Sequence, residues 1–244
     1  MREILADGEV LLERDRGVDR LTLTRPAKAN ALSRSMIKAI VSICGRPQPD
    51  RCALIITGSG GRNFCGGADL DEMKRAARDP GPRPTYLDLW DQMTATLSAM
   101  TVPVIAVING TCLAGGLTLA LACSIRVVVA GSLISYPMVS RGHLPGKYNL
   151  TRLVALVGHS RAEVILLGAK RLDASEALAW GLADIGCEPG ETANVLESLL
   201  EPLRQTDPWL IAATRSLLSR PDDDLLWSQT EAAFEARTAR IDGN

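Results

Sequence analysis

An α/β fold is what this sequence predicts, and two observations carry that expectation. The first is a pair of short apolar runs, residues 53–57 (ALIIT) and 102–108 (VPVIAVI), each stopping at a glycine-bearing turn as buried strands do. The second is the order of elements. Strand signals come early and alternate with helical spacing, while helices fill the end of the chain. A length of 244 residues fits one large domain or two small ones, and 46% hydrophobic residues are ample for a sizeable core.

Each element has its own signal. Residues 10–13 and 20–24 are short strands around Asp15-Arg16-Gly17, a hairpin turn, and Pro26 ends the second. Residues 33–43 carry helical spacing at Met36, Ile37, Ile40 and Ile43. After the strand at 53–57 comes Gly58-Ser59-Gly60-Gly61, then a charged stretch at 71–78. The three prolines of 79–84 spell an extended or mobile loop. Helical spacing returns at 86–100. Residues 117–123 form a buried helix behind Gly115-Gly116, and 125–130 another strand. Residues 161–167 and 174–180 are helices, with Ser160 as N-cap of the first and His159 structural. Residues 190–203 and 208–218 make a C-terminal helical part. The expected division is 1–190 for the core and 191–244 for that helical region.

Composition excludes several classes. A net charge of −1 suggests no nucleic-acid or anionic-membrane partner. The N-terminal MREILADGEV is no signal peptide, and no apolar run approaches a membrane span. None of the six cysteines forms a CxxC pair, and there are only two histidines, so a metal site is not expected. Buried reduced thiols in a cytoplasmic protein are the expectation.

The glycine-rich turns carry the chemistry. Glycines at a helix N-terminus let a ligand reach bare backbone N–H groups, where the helix dipole favours negative charge. Gly115-Gly116 open such a helix, or else only permit close packing. The strand at 53–57 likewise ends in a glycine-rich turn, Gly58-Ser59-Gly60-Gly61 followed by NFCGGADL at 63–70. Two turns that aim N–H groups at one oxygen would stabilise a developing oxyanion.

FCGGADLDEM (64–73) and PVIAVINGTCLAGGLTLALAC (103–123) resemble the crotonase superfamily, the enoyl-CoA hydratase/isomerase group. Arg25-Pro26 with Asn30-Ala31-Leu32, the segment 137–152, and 171–177 with Trp180-Gly181-Leu182 extend the likeness over roughly residues 10–220, in order. The resemblance implies a crotonase-like spiral of ββα turns with a C-terminal helical trimerisation region, assembled as a homotrimer or hexamer. It implies an acyl-CoA substrate and no separate cofactor, coenzyme A being part of that substrate. The thioester oxygen is expected between the N–H groups of Ala68 and Gly115. Lys28, Ala29, Ala31, Leu70 and Gly116 match positions along the CoA arm and the glycine turn, and Arg25 or Lys28 either meets phosphate or is a solvated loop charge. Arg237 is the nearest match to a C-terminal lysine that meets CoA phosphate in relatives.

The two hydratase glutamates do not carry over. Their positions hold Thr118 and Met138, and neither side chain serves as a general base near neutral pH. Other groups come into view along 136–148. Histidine is a residue type suited to acid–base work near neutral pH, and His143 is either an acid–base group or a loop histidine bonded to backbone; related naphthoate synthases place a polar functional residue at this spot. Tyr148 either donates a hydrogen bond or packs. Ser140 and Arg141 either hold a substrate carboxylate or face solvent. Asp69 is the nearest matched carboxylate, Thr118 a residue for positioning water, and Tyr86 either lines the acyl pocket or is core. Three functions follow: an acyl-CoA isomerase, decarboxylase or other lyase with non-glutamate acid–base groups; a CoA-thioester-binding protein without catalysis; and an ordinary hydratase with relocated residues.

Overall fold

The computed structural model describes residues 1–79 and 85–242. The proline-rich segment expected to be an extended or mobile loop lies largely outside the described residues. In chain order the elements are β1 (Arg2–Leu5), β2 (Val10–Asp15), β3 (Val18–Leu23), α1 (Arg34–Gly45), β4 (Ala53–Gly58), β5 (Asn63–Cys65), α2 (Leu70–Arg78) and α3 (Tyr86–Ser98). Then come β6 (Val104–Ile108), β7 (Thr111–Leu113), α4 (Gly115–Ala122), β8 (Ile125–Val129), β9 (Leu133–Ser135), α5 (Lys147–Val157), α6 (His159–Leu166), β10 (Arg171–Asp173) and α7 (Ala174–Ala179). The chain closes with β11 (Ile185–Cys187), α8 (Thr192–Gln205), α9 (Pro208–Ser219) and α10 (Asp224–Asp242).

The expected hairpin is present as a two-residue turn at Arg16-Gly17, with Asp15 opposite Val18. Arg16 and Gly17 both take positive φ, the turn whose twist matches that of paired strands. From there the chain winds. A seven-stranded sheet has the order β1-β2-β3-β4-β6-β8-β11, and a four-stranded sheet the order β10-β9-β7-β5. Each of the pairs β4–β5, β6–β7 and β8–β9 gives its first strand to the large sheet and its second to the small one, and a helix follows. This is the ββα spiral.

Burial on both faces explains why the central strands read as continuous apolar runs. Leu54, Ile56, Val104 and Ala106 face the main core with α1, α3 and α4. Their neighbours Ala53, Ile55, Ile105 and Val107 face the other way, against Leu196 and Leu200 of α8. So α8, placed by sequence in the C-terminal region, covers the outer face of the large sheet. Beyond it, α9 buries only Ile211, and Leu218, Leu225, Trp227 and Phe234 stay exposed.

Three local readings are completed or corrected by the structure. The charged stretch at 71–78 is helical: Met73 and Ala76 pack against the core, and Asp69 caps it by accepting from Asp71 N–H and Glu72 N–H. Ser160 is not an N-cap, because α6 begins at His159 behind Gly158, whose φ of 80° makes the turn from α5. The buried helix starts at Gly115, so both glycines lie in its first turn, as expected of glycines that open it. Among the described residues no helix is long and apolar enough to cross a membrane, and no three His, Cys, Asp or Glu groups are placed to hold a metal ion. The six cysteines are free thiols, and burial pushes Cys65 and Cys123 up to about 12, which leaves them unreactive.

Candidate active site

Two backbone N–H groups face each other where the spiral's glycine turns meet. Leu32 N–H donates to the Gly67 carbonyl at 2.7 Å, and Asp69 N–H donates to the Leu32 carbonyl at 3.0 Å. That short parallel bridge uses one edge of residues 67–69, so the N–H of Ala68 points the opposite way. Gly115 is the first residue of α4, where a helix leaves its N–H unpaired and its dipole is positive. A Cβ on Gly115 would stand 3.2 Å from Ala68 N, and one on Gly67 would stand 3.1 Å from Gly115 N. Among the described residues neither the Ala68 N–H nor the Gly115 N–H has an acceptor. Two unpaired donors this close can hold one oxygen that carries negative charge.

The backbone around them is held by design of the sequence. Ala114, just before α4, adopts φ 49° and ψ −112°, a conformation a side-chain-bearing residue rarely takes, and it turns the Gly115 N–H inward. Asn30 is fully buried at φ 54°. Its amide donates to Ser59 and Asn63 carbonyls at 3.0 and 2.7 Å and accepts from Arg25 N–H at 3.0 Å. It thereby ties the 25–32 segment to the turn after β4. The Ala29 carbonyl accepts from Gly66 N–H at 2.7 Å, which sets half-buried Ala29 and Ala31 beside the donor loop.

The two glycines of α4 do different work. A Cβ on Gly116 would lie 2.1 Å from the Cys65 carbonyl oxygen, so Gly116 is what lets α4 pack against β5. A Cβ on Gly115 would lie 2.5 Å from the tip of the Trp90 ring. Trp90 therefore fronts the donors, and it packs edge-on against Tyr86 at 6.2 Å. Sequence reasoning missed Trp90; its signal is the spacing of one helical turn from Tyr86. Tyr86 itself is core: its hydroxyl donates to the Leu32 carbonyl and accepts from Asp69 N–H. One turn along α4, Thr118 Oγ1 meets the Tyr136 hydroxyl at 3.0 Å, both buried. Met138, half-buried against the core, opens the loop that walls the site.

Of the other candidate groups, two are drawn away from this space. Asp69 accepts the α2 capping bonds and pairs with Arg25 at 3.0 Å. Burial raises its pKa, but the Glu72 N–H and the Arg25 guanidinium outweigh this and leave it below the usual carboxylate range, which makes it a poor proton acceptor. Tyr148 turns from the donors. Burial raises its pKa, and its hydroxyl lies toward Ser98 with Arg152 near. Ser98 is eight residues beyond Trp90 on α3, about 12 Å at the rise of a helix. Tyr148 thus packs at the far end of that helix and is not beside the oxygen position. Arg25 is committed to Glu9 (2.7 Å), Asp69 and the Ala31 carbonyl, and Arg237 to Asp207 (2.7 Å). Neither is a free phosphate ligand. Lys28 is exposed, 3.6 Å from Asp71, near Leu70, a leucine 68% exposed beside Ala68. Ser140, Arg141 and His143 are all exposed on the wall loop, where Met138's carbonyl accepts from His143 N–H at 2.9 Å.

The family model described as enoyl-CoA hydratase/isomerase matches residues 13–236. The short-chain-enoyl-CoA hydratase of Clostridium acetobutylicum is 30% identical over 213 residues, 86% of this chain and 81% of that protein. An enoyl-CoA isomerase/hydratase of Mycosarcoma maydis is 29% identical over 92% of this chain and 87% of its own length. Among solved structures, a Thermobifida fusca YX protein in complex with CoA superposes with a TM-score of 0.83 at 27% identity, over 97% of this chain and 95% of that one.

Proposed function

This chain belongs to the enoyl-CoA hydratase/isomerase family, and from that premise we propose that it is an acyl-CoA enzyme stabilising an enolate-type intermediate at the Ala68 and Gly115 N–H groups. The observation that carries this reading is the pair of adjacent, unpaired donors. A thioester carbonyl seated there gains two hydrogen bonds that strengthen as the oxygen becomes negative. One such donor is worth about 10²–10³ in rate in a protease. The relative solved with CoA supports a CoA thioester as ligand. Exposed Leu70, half-buried Ala29 and Ala31, and Lys28 are placed to meet the pantetheine and phosphate arms.

The acid–base groups are not the two glutamates of a hydratase. Thr118 and Tyr136 form a neutral pair that positions water or substrate, and His143 lies exposed on the wall loop. Isomerisation, decarboxylation or another lyase reaction fits such a site; decarboxylation asks least of a base, because loss of carbon dioxide generates the enolate directly. The names of the relatives favour a second reading, hydration with relocated acid–base residues. The exposed apolar side chains of α9 and α10 support a homotrimer or hexamer built on the C-terminal region.

The test is calorimetric titration with CoA, acetyl-CoA, crotonyl-CoA and malonyl-type thioesters, following the consumption of each. Binding with turnover of one class is expected. Crotonyl-CoA hydrated at ordinary enzyme rates, roughly 1–10³ per second, would establish the second reading. Binding without any turnover would leave a CoA-thioester-binding protein.

A further inference from the structure

The contacts around the two donors form a ring that passes through a carboxylate so far unused. Trp90 abuts Gly115, and the next residue on α3 is Asp91. Asp91 Oδ1 lies 3.8 Å from the point where a Cβ on Gly146 would stand, and Asn149 Nδ2 lies 3.4 Å from that point. Gly146 ends the wall loop that leaves Tyr136, and the Tyr136 hydroxyl meets Thr118, one turn from Gly115. The ring thus runs from Gly115 through Trp90, Asp91, Gly146 and Tyr136 to Thr118.

Two polar groups on it lack partners. Asp91 is exposed, and among the described residues its carboxylate accepts no hydrogen bond and pairs with no cation, so it is free to meet a ligand. Asn149 is buried to 7% exposure and its Oδ1 has no donor. A buried acceptor without a donor is costly, so a donor brought to the Asn149 oxygen would stabilise the site. Asp69, the matched carboxylate, is committed to α2 and Arg25.

We propose that Asp91 is the acid–base residue of this site, an inference that rests on the thioester reading. Its carboxylate takes the proton from the carbon next to the thioester carbonyl. The C–H bond breaks and an O–H bond forms on Asp91. The C–H electron pair becomes the enolate double bond, and the carbonyl electrons move onto the oxygen at Ala68 and Gly115. Protonated Asp91 is then a donor, and the Asn149 amide, turned about χ2, offers the oxygen that lacks one. Return of the proton to carbon regenerates the carboxylate.

Enolate formation is readable without knowing the natural acyl group, by following deuterium from D₂O into the α-carbon of butyryl-CoA. Wild type is expected to exchange. Asp91→Asn should slow exchange about 100-fold or more while butyryl-CoA affinity and melting temperature hold, and Asp91→Glu should restore part of the rate. Undiminished exchange in Asp91→Asn overturns the proposal, as does a joint loss of exchange and binding. Wild type that binds butyryl-CoA without exchange overturns Asp91 alone and leaves thioester binding standing. Wild type that does not bind it overturns both.

Discussion

Adjacent residues here answer to different constraints, and Gly115 and Gly116 separate them. Gly116 faces the Cys65 carbonyl, a backbone atom that cannot move aside, so Gly116→Ala should destabilise the fold by about 3 kcal/mol or more, as overpacking does. Chemical denaturation checks this. Gly115 faces the tip of a half-buried Trp90, which can shift, so Gly115→Ala should fold and lose the oxygen site. Asp69 gives a pH-dependent case. Its folded pKa is depressed, so its contribution is fully present above the unfolded value of about 3.9 and is lost as pH falls through the lower folded value. Asp69→Ala should cost about 1 kcal/mol or more at pH 7 for the lost cap, and the gap to wild type should narrow in denaturation curves taken below about pH 4. The Asp69 cap went unread although its signal is present, since aspartate before an acidic first turn marks a helix start. The direction of Tyr148 was not. Its sequence position is right for the wall, and only the packing of α5 against α3 decides which side its hydroxyl takes.

Elements were legible where they were long or doubly buried. The central strands β4, β6 and β8 announce themselves because both faces are covered, whereas β5, β7, β9, β10 and β11 have three residues each, too few for any period to show. Yet β5 and β7 are the strands that deliver the donor loops. The first turn of α4 is readable from its glycines, but the strain that aims it is not: nothing in an alanine announces φ 49° and ψ −112°. If Ala114 holds the Gly115 N–H by strain, Ala114→Gly should relieve about 1–2 kcal/mol, less roughly 0.5–1 for added chain entropy. The expected result is a small gain in denaturant midpoint together with a slower thioester reaction. A gain in rate would show that the strained turn does not position the donor.

On the scale of the whole molecule, the spiral brings the Ala68 and Gly115 N–H groups together from distant parts of the chain, and α8 seals the outer face of the large sheet. That leaves α9 and α10 with Leu218, Leu225, Trp227 and Phe234 in water, the apolar surface expected to be covered between subunits. Light scattering should give a trimer or hexamer of 26.1 kDa chains; a monodisperse monomer would refute the assembly. The central claim, that Ala68 and Gly115 N–H stabilise a thioester enolate, is tested most directly by comparing wild type with Gly115→Ala. The measurement is binding and turnover of whichever CoA thioester the wild type consumes. A loss of about 10²–10³ in kcat, with affinity for CoA kept, is the expected result. Equal turnover by the two proteins would contradict the account.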